Sequence, residues 1–142
     1  MHFVVGRDYT GEVRLYHVDG TLVHTFKGHL LHVYAVAVTG DGQHIISGSG
    51  DGRVKVWNVA SKSLVGDYIG HNNAVHAVAV MPDGVHFVVC LGVGPNYGEV
   101  RLYHVDGTLV HAFEGHNGKV HAVAVTPDGQ HIISGSMDKL VK

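Results

Sequence analysis

Cysteine, proline and charged residues are all scarce in this chain of 142 residues. Cys90 is the single cysteine, so no intrachain disulfide can form and nothing indicates an oxidising compartment. Charged residues make up 15% of the chain and apolar residues 45%, which excludes a disordered segment or a coiled coil. The length is sufficient for one ordinary domain with a buried core.

Clusters of basic charge and long apolar runs are missing as well. The ten Lys and Arg residues are scattered singly and the net charge is −2, which argues against nucleic acid as a ligand, because a phosphate backbone requires a basic surface. No stretch approaches the ~18 apolar residues that a membrane span needs, and the first residues do not resemble a signal peptide. We therefore expect a cytoplasmic protein that binds neither nucleic acid nor membrane.

Catalytic signatures are the third absence. Cys90 ends the apolar run His86–Cys90, a setting typical of a small buried hydrophobe rather than a nucleophile, and no serine lies in a nucleophile elbow. Asp41, Asp83 and Asp128 each precede a glycine and are typical of hairpin turns. We expect a protein that is not an enzyme and has no cofactor.

Glycine, by contrast, is abundant, with 20 residues, and it separates short runs rich in Val and Ile. The segment Gly28–His71 contains four such runs: Val33–Val38, His44–Ser47, Arg53–Trp57 and Ser63–Ile69. Runs of this length, bounded by Asp-Gly and similar turns, predict strands that are joined by tight hairpins. The segment is thus predicted to be a four-stranded antiparallel meander.

This segment is repeated along the chain. Its opening Gly-His pair returns 42 and then another 45 residues later. Ala35–Ser49 reappears with one substitution as Ala122–Ser136, and Glu12–His24 reappears unchanged as Glu99–His111. A period of this length predicts a repeat architecture, and the pairing of the copies indicates that two units were duplicated together.

The repeats resemble those of the WD-repeat β-propellers over essentially the whole chain. The matching features are the Gly-His pair, the Asp-Gly turn after the first strand, the Ser-Gly-Ser that ends the second, and an Asp in the turn that follows. The resemblance implies one buried hydrogen-bonded group of four side chains per blade. In the complete repeat these are His29, Ser47, Asp51 and Trp57. Asn58 follows Trp57, so the Trp-Asp pair that names the family is missing.

Two of the repeats depart further from the family pattern. Tyr16 and Tyr103 take the place of Trp, and Val5 and Val89 take the place of Ser. We expect these blades to lack the complete hydrogen-bonded group, to rely on apolar packing instead and to be the less stable blades.

The repeat boundaries predict an all-β fold of WD-repeat propeller blades in a single array that does not close a ring within one chain. A partial blade covers residues 1–28, full blades cover 29–70 and 71–115, and a partial blade with a third strand reaching Lys142 covers 116–142. The Ala-Val-Ala-Val first strands predict Ala on one face and Val on the other, with both faces covered by neighbouring sheets.

Closed propellers have about four to eight blades of four strands, and the predicted strands fall short of that. We expect a homo-oligomer in which the strands at the C-terminal end of one copy complete those at the N-terminal end of the next. The alternatives are a fragment of a longer propeller with an exposed edge, and a self-assembling module with no partner of its own.

The resemblance also implies contacts with other proteins or peptides, on the face where the fourth strand of one blade leads into the first strand of the next. The candidate contact residues are Leu30, Leu31, Tyr34, Asn72, Asn73, His76, Asn117, Lys119 and His121. The alternative is that these are ordinary loop residues.

The 14 histidines mostly reflect the duplication. Three pairs lie near the Gly-His positions: His29 with His32, His71 with His76, and His116 with His121. The resemblance implies that first strands line a central channel, where three or four converging neutral imidazoles could bind Zn²⁺, but no Cys or carboxylate cluster supports them here. We expect no metal, and a metal or small-ligand binder is the least favoured alternative. The number of histidines also motivates the hypothesis that assembly depends on pH.

Overall fold

The structure, a computed structural model, describes residues 2–6, 11–69, 74–92 and 98–136, and for residues 2, 3, 5, 6, 69 and 114–116 it describes the backbone alone. The elements in these ranges are β-strands, which form four antiparallel sheets. The all-β prediction is confirmed. Within the described ranges, no helix is long and apolar enough to cross a membrane.

Each sheet is a meander whose consecutive strands pair. The first sheet contains β1 (His2–Gly6), β2 (Glu12–His17) and β3 (Leu22–Lys27). The second contains β4 (Val33–Val38), β5 (His44–Ser49), β6 (Arg53–Asn58) and β7 (Ser63–Ile69). The third contains β8 (Val75–Val80), β9 (His86–Gly92), β10 (Gly98–His104) and β11 (Leu109–His116). The fourth contains β12 (Val120–Val125) and β13 (Ile132–Ser136); the third strand predicted for it lies outside the described residues.

Asp-Gly turns form the hairpins between first and second strands. In the second sheet, Gly42 has a φ of 71°, a left-handed conformation that glycine adopts at little cost. Asp41 Oδ1 accepts hydrogen bonds from Thr39 Oγ1 at 2.6 Å and from the backbone N–H of Gln43 at 3.0 Å. The side chain thereby holds the turn from both ends, as is typical of an Asx turn.

The core consists of apolar clusters between neighbouring sheets. Along β5, Ile45 joins Val13 and Trp57 in the cluster between the first and second sheets, whereas Ile46 joins Phe87 in the cluster between the second and third. Successive side chains of a strand point to opposite faces. A continuous apolar run is therefore required wherever both faces of a sheet are covered.

The innermost strands show how the sheets pack together. In β8, Val78 and Val80 pack toward the second sheet, while Ala77 and Ala79 pack toward the fourth. The predicted division of Ala and Val between opposite faces is confirmed for this strand. The main contacts between sheets run from β1 to β4, from β4 to β8 and from β8 to β12, so the four sheets lie side by side in an open arc.

Candidate functional site

The second sheet brings the four side chains of the predicted hydrogen-bonded group together. His29 precedes β4, Ser47 lies in β5, Asp51 lies in the turn after β5, and Trp57 lies in β6. Ser47 Oγ lies 2.7 Å from His29 Nε2 and 2.9 Å from Trp57 Nε1. His29 Nδ1 lies 3.4 Å from Asp51 Oδ2. The group therefore connects the segment before the first strand to the second and third strands.

The chemistry of the group determines the tautomer of the histidine. Trp57 Nε1–H is only a donor, so Ser47 Oγ accepts from it and uses its own proton to donate to His29 Nε2. The proton of the neutral imidazole is then on Nδ1, from which it is donated to Asp51. Asp51 also accepts from the backbone N–H of Leu30 at 3.0 Å and of Arg53 at 2.9 Å. Every member of the group has a partner, which is what a buried polar network requires.

Burial and these hydrogen bonds set the protonation states. Burial lowers the pKa of His29, and this effect outweighs the opposing attraction of Asp51. Burial alone would raise the pKa of Asp51, but the N–H groups of Leu30 and Arg53 together with His29 outweigh it and hold the pKa below its usual value. At neutral pH the group is thus a neutral imidazole next to a carboxylate, an arrangement that stabilises the blade.

The lowered pKa of His29 predicts a loss of stability in mild acid. Below pH 6.5, the ordinary value for the side chain, the unfolded chain takes up a proton that folded His29 does not, so stability falls as the pH drops from 6.5 toward the folded pKa. For one proton the slope approaches about 1.4 kcal/mol per pH unit. The contribution of Asp51 is lost only below its ordinary value of 3.8. Chemical unfolding at pH 7.5, 6.5 and 5.5 measures this slope.

A His29→Gln variant is the control for this prediction. We expect it to be less stable than the parent chain at pH 7.5 but to lose less stability on acidification. If the free energy of unfolding falls equally steeply with pH in both chains, the loss of stability comes from other histidines. His76 is one such residue, since its pKa is also lowered by burial and by the nearby His121 and Lys119.

The sheets without this group contain a different one, which the sequence interpretation missed. In β10, Arg101 donates from Nε and Nη2 to the two carboxylate oxygens of Glu99, both at 3.0 Å, and from Nη1 to Tyr103 OH at 3.5 Å. In β2, Arg14 pairs with Glu12 at 3.2 Å. These ion pairs lie beside the apolar packing expected of these sheets, which in the third sheet buries Phe87, Val89 and Leu91. The sequence feature that could have predicted these ion pairs is the repeated Glu-Val-Arg-Leu-Tyr. Its alternation with a period of two places Glu, Arg and Tyr on one face of the strand.

A row of rings crosses three sheets at the end where the fourth strand of one sheet leads into the first strand of the next. The ring centroids of His32 and Tyr34 are 6.0 Å apart, those of Tyr34 and His76 are 5.7 Å apart, and those of His76 and His121 are 5.4 Å apart. These separations are typical of interacting aromatic pairs. We refer to these four residues as the ring row.

β-bulges place the ring row. The strand register shifts between Val33 and Ala35 in β4, so Tyr34 is the extra residue of a bulge there. The first strands of the third and fourth sheets have the same shift, at His76 and His121. A bulge redirects its side chain out of the normal alternation. The bulge in the first strand of each of these three sheets, at the same position of the repeat, therefore aims three rings at the same end of the molecule.

The candidate contact residues are distributed as follows. Leu30, Leu31 and Tyr34 are all exposed large side chains beside the start of β4. His76 is half-buried and His121 exposed, as members of the ring row. Lys119 is half-buried and lies near His76, since both side chains approach Gly92. Asn117 is exposed. Asn72 and Asn73 lie outside the described residues.

The histidine pairs do not converge on one point in the described part of the chain. His29 is buried in its hydrogen-bonded group and His76 lies beside His121 in the ring row, while His71 and the side chain of His116 lie outside the described residues. Among the described side chains, no group of three or more His, Cys, Asp or Glu residues is placed to hold a metal ion. Cys90 is buried as expected, and burial raises the pKa of its thiol to about 12.

The fold and the hydrogen-bonded group together define a repeat protein built from propeller-type blades. The model of the WD domain, G-beta repeat family matches residues 20–58, 62–103 and 107–142, and the chain belongs to this family. The first two matches each begin near the last strand of one sheet and include the first three strands of the next, so the sequence repeat is offset from the sheet by one strand. None of the curated proteins compared with the chain matches it. Repeats of this family generally mediate interactions between proteins and are typically non-catalytic.

Proposed function

We propose that this chain is a non-catalytic scaffold that binds other proteins or peptides at the ring row and completes its ring by self-association. The observation that supports the binding site is the ring row itself, together with the exposed leucines beside it. Rings and leucines on a rigid sheet end offer apolar contact area that is already ordered before a partner binds.

The composition and support of this surface favour a protein partner. Exposed fractions are 51% for Leu31 and 50% for Tyr34, and aromatic side chains of this kind contribute much of the binding energy in protein interfaces. The ring of Tyr34 stacks with the rings of both His32 and His76. Little conformational entropy is therefore lost when a partner packs against it.

Binding through the ring row is tested by a double variant, Leu31→Ala with Tyr34→Ala. The matched control is Leu109→Ala with Val110→Ala on β11, where the exposed fractions are 48% and 51%. We expect proteins captured by the parent chain to bind the first variant at least about tenfold more weakly and the control as well as the parent. Equal capture by the two variants would contradict the assignment of this surface.

Self-association is supported by the open arc of four sheets, because a propeller of this family requires a closed ring to cover its end sheets. Native mass spectrometry of the purified chain tests it. We expect a discrete multiple of 15.2 kDa. A monomer at concentrations of tens of micromolar would contradict self-association but leave the ring row as a binding surface to be tested separately. A closed oligomer that captures no other protein would favour the self-assembling module over the scaffold.

A further inference from the structure

We propose that the ring row binds an extended acidic segment of a partner protein. An apolar side chain of the segment packs on Leu31 and Tyr34, and an Asp or Glu side chain binds at Lys119, His76 and His121. This inference rests on the binding surface proposed above and specifies the chemistry of its partner. The argument comes from the distribution of charge between the two ends of the sheets.

Three basic side chains meet at the end of the ring row away from Tyr34. The ring centroids of His76 and His121 are 5.4 Å apart. A Cβ added to Gly92 would lie 3.1 Å from Lys119 Cγ and 3.2 Å from His76 Nε2, so these two side chains approach each other over the glycine. Burial lowers the pKa of His76, and the nearby His121 and Lys119 lower it further. An anion placed between the three groups would relieve this repulsion.

The carboxylates at the ring-row end are already paired. Consecutive strands of each meander run in opposite directions, so the turn between β5 and β6 and the starts of β2 and β10 lie at this end. The described carboxylates here are Glu12, Asp51, Asp67 and Glu99. Each accepts hydrogen bonds from an Arg or Lys side chain or from backbone N–H groups. Among the described side chains, none of these carboxylates forms an ion pair with Lys119, His76 or His121.

The opposite end of the described sheets is acidic. Aspartates lie in the turns β2–β3, β4–β5, β8–β9, β10–β11 and β12–β13, namely Asp19, Asp41, Asp83, Asp106 and Asp128. Hydrogen bonds within the turns, which for Asp83 outweigh the effect of burial, hold the pKa of each below its ordinary value of 3.8. In the turns described at this end, Lys62 is the one lysine or arginine. An acidic segment is thus repelled from this end and attracted to the ring row.

The dimensions of the ring row fit a short extended segment. The ring centroids are 5.7 Å apart from Tyr34 to His76 and 5.4 Å apart from His76 to His121. An extended chain covers ~3.3–3.6 Å per residue, so the two ends of the row match side chains that are roughly two to four residues apart. Leu31 and Tyr34 are about half exposed and form the apolar end. The partner segment is therefore expected to carry a Leu or aromatic residue at this spacing from an Asp or Glu.

The first test is a selection of short random peptides, displayed on phage, against the immobilised chain. We expect the selected peptides to be enriched in Asp and Glu, and depleted of Lys and Arg, at roughly two to four residues from a Leu or aromatic residue. Enrichment in Lys and Arg, or peptides without any charge preference, would overturn the inference.

The second test measures the charge preference directly. The most enriched peptide is synthesised with its acidic residue as Glu and as Gln, and both forms are titrated by fluorescence anisotropy. We expect the parent chain to bind the Glu form about five- to tenfold more tightly than the Gln form. In a Lys119→Gln variant the two forms should bind within about twofold of each other, because the charge that distinguishes them is removed. Lys119→Arg keeps that charge and should keep most of the preference.

The matched control is Lys27→Gln, since Lys27 is an exposed lysine at the same end of the molecule but lies on the outer strand β3. We expect it to bind both peptides as the parent does. Tyr34→Ala should weaken both forms by the same factor, because it removes the apolar contact and leaves the charge preference. Circular dichroism of each variant checks that it is folded.

The outcomes separate this inference from the proposed function. If the parent binds the Glu and Gln forms equally and Tyr34→Ala weakens both, the ring row stands as a binding surface and the acidic partner is wrong. If the preference persists in Lys119→Gln, or is lost in Lys27→Gln, the carboxylate binds elsewhere and the inference is overturned. If no peptide is enriched, or the enriched peptides bind the double variant of Leu31 and Tyr34 as tightly as the parent, both the inference and the ring-row surface are contradicted.

Discussion

Replacing Ser47 with alanine is expected to lower the free energy of unfolding by about 2–5 kcal/mol, although it removes only one atom. Ser47 Oγ accepts from Trp57 Nε1 at 2.9 Å and pairs with His29 Nε2 at 2.7 Å. Without the hydroxyl, both nitrogens are left in a dry interior. A buried polar group without a partner costs about 1–3 kcal/mol, and here two are created together. Urea unfolding at pH 7.5 measures the loss.

A double-mutant cycle separates this mechanism from a general packing defect. Trp57→Phe removes the indole N–H while keeping much of the ring, so it is destabilising by itself. Combined with Ser47→Ala, it also removes one of the two unpaired nitrogens. We expect the double variant to be more stable than the sum of the single effects predicts, by about 0.5–3 kcal/mol. Ser61→Ala, at an exposed turn, is the control and should change stability by less than about 0.5 kcal/mol. Additive effects at Ser47 and Trp57 would contradict the shared hydrogen-bond group.

The hydrogen-bonded group shows what a sequence resemblance supplies. His29 and Trp57 are 28 positions apart in the chain, and nothing in their spacing alone predicts that they share a serine. The family pattern supplied the residues, and the structure supplied the distances and the tautomer. The lower stability of the first and third sheets relative to the second stays a prediction. The ion pair between Arg101 and Glu99 is an interaction in the third sheet that the resemblance did not include.

The ring row shows what the sequence alone did not supply. Tyr34, His76 and His121 were candidates because of their position beside the Gly-His pairs. A regular strand would have turned alternate side chains to opposite faces. The repeat places these residues at equivalent positions, and each is also the extra residue where the register of its first strand shifts. A bulge is a backbone feature with no residue type of its own here, since Tyr and His both occupy it, so composition and periodicity did not reveal it.

For the proposed function, the residues next to the ring row matter because they also belong to the buried core and to the hydrogen-bonded group. The strand that contains Tyr34 also contains Val33, which is buried in the cluster between the first and second sheets. The segment that leads into this strand contains Leu30, whose backbone N–H donates to Asp51. A partner at the ring row would therefore contact residues that adjoin the hydrogen-bonded group of His29. Loss of that group is expected to weaken partner binding as well as folding.

Identical sequence does not mean an identical environment, and two glycines give a direct test of this. Gly48 and Gly135 lie in the same Ile-Ile-Ser-Gly-Ser segment of two repeats. A Cβ added to Gly48 would overlap Val75 Cγ1 and come within 3.0 Å of Val75 Cβ, whereas a Cβ on Gly135 would have no atom within 4 Å. The first position is at the contact between the second and third sheets, and the second is on the open face of the fourth.

We therefore expect Gly48→Ala to destabilise the chain by about 1–3 kcal/mol, because the added methyl group pushes the packed sheets apart. Gly135→Ala should be neutral, or stabilising by up to about 1 kcal/mol, because alanine restricts the unfolded chain and meets nothing in the folded one. Urea unfolding of both variants at one protein concentration makes the comparison, since self-association would make stability depend on concentration. Equal destabilisation by the two substitutions would mean that the face of Gly135 is as closely covered as that of Gly48.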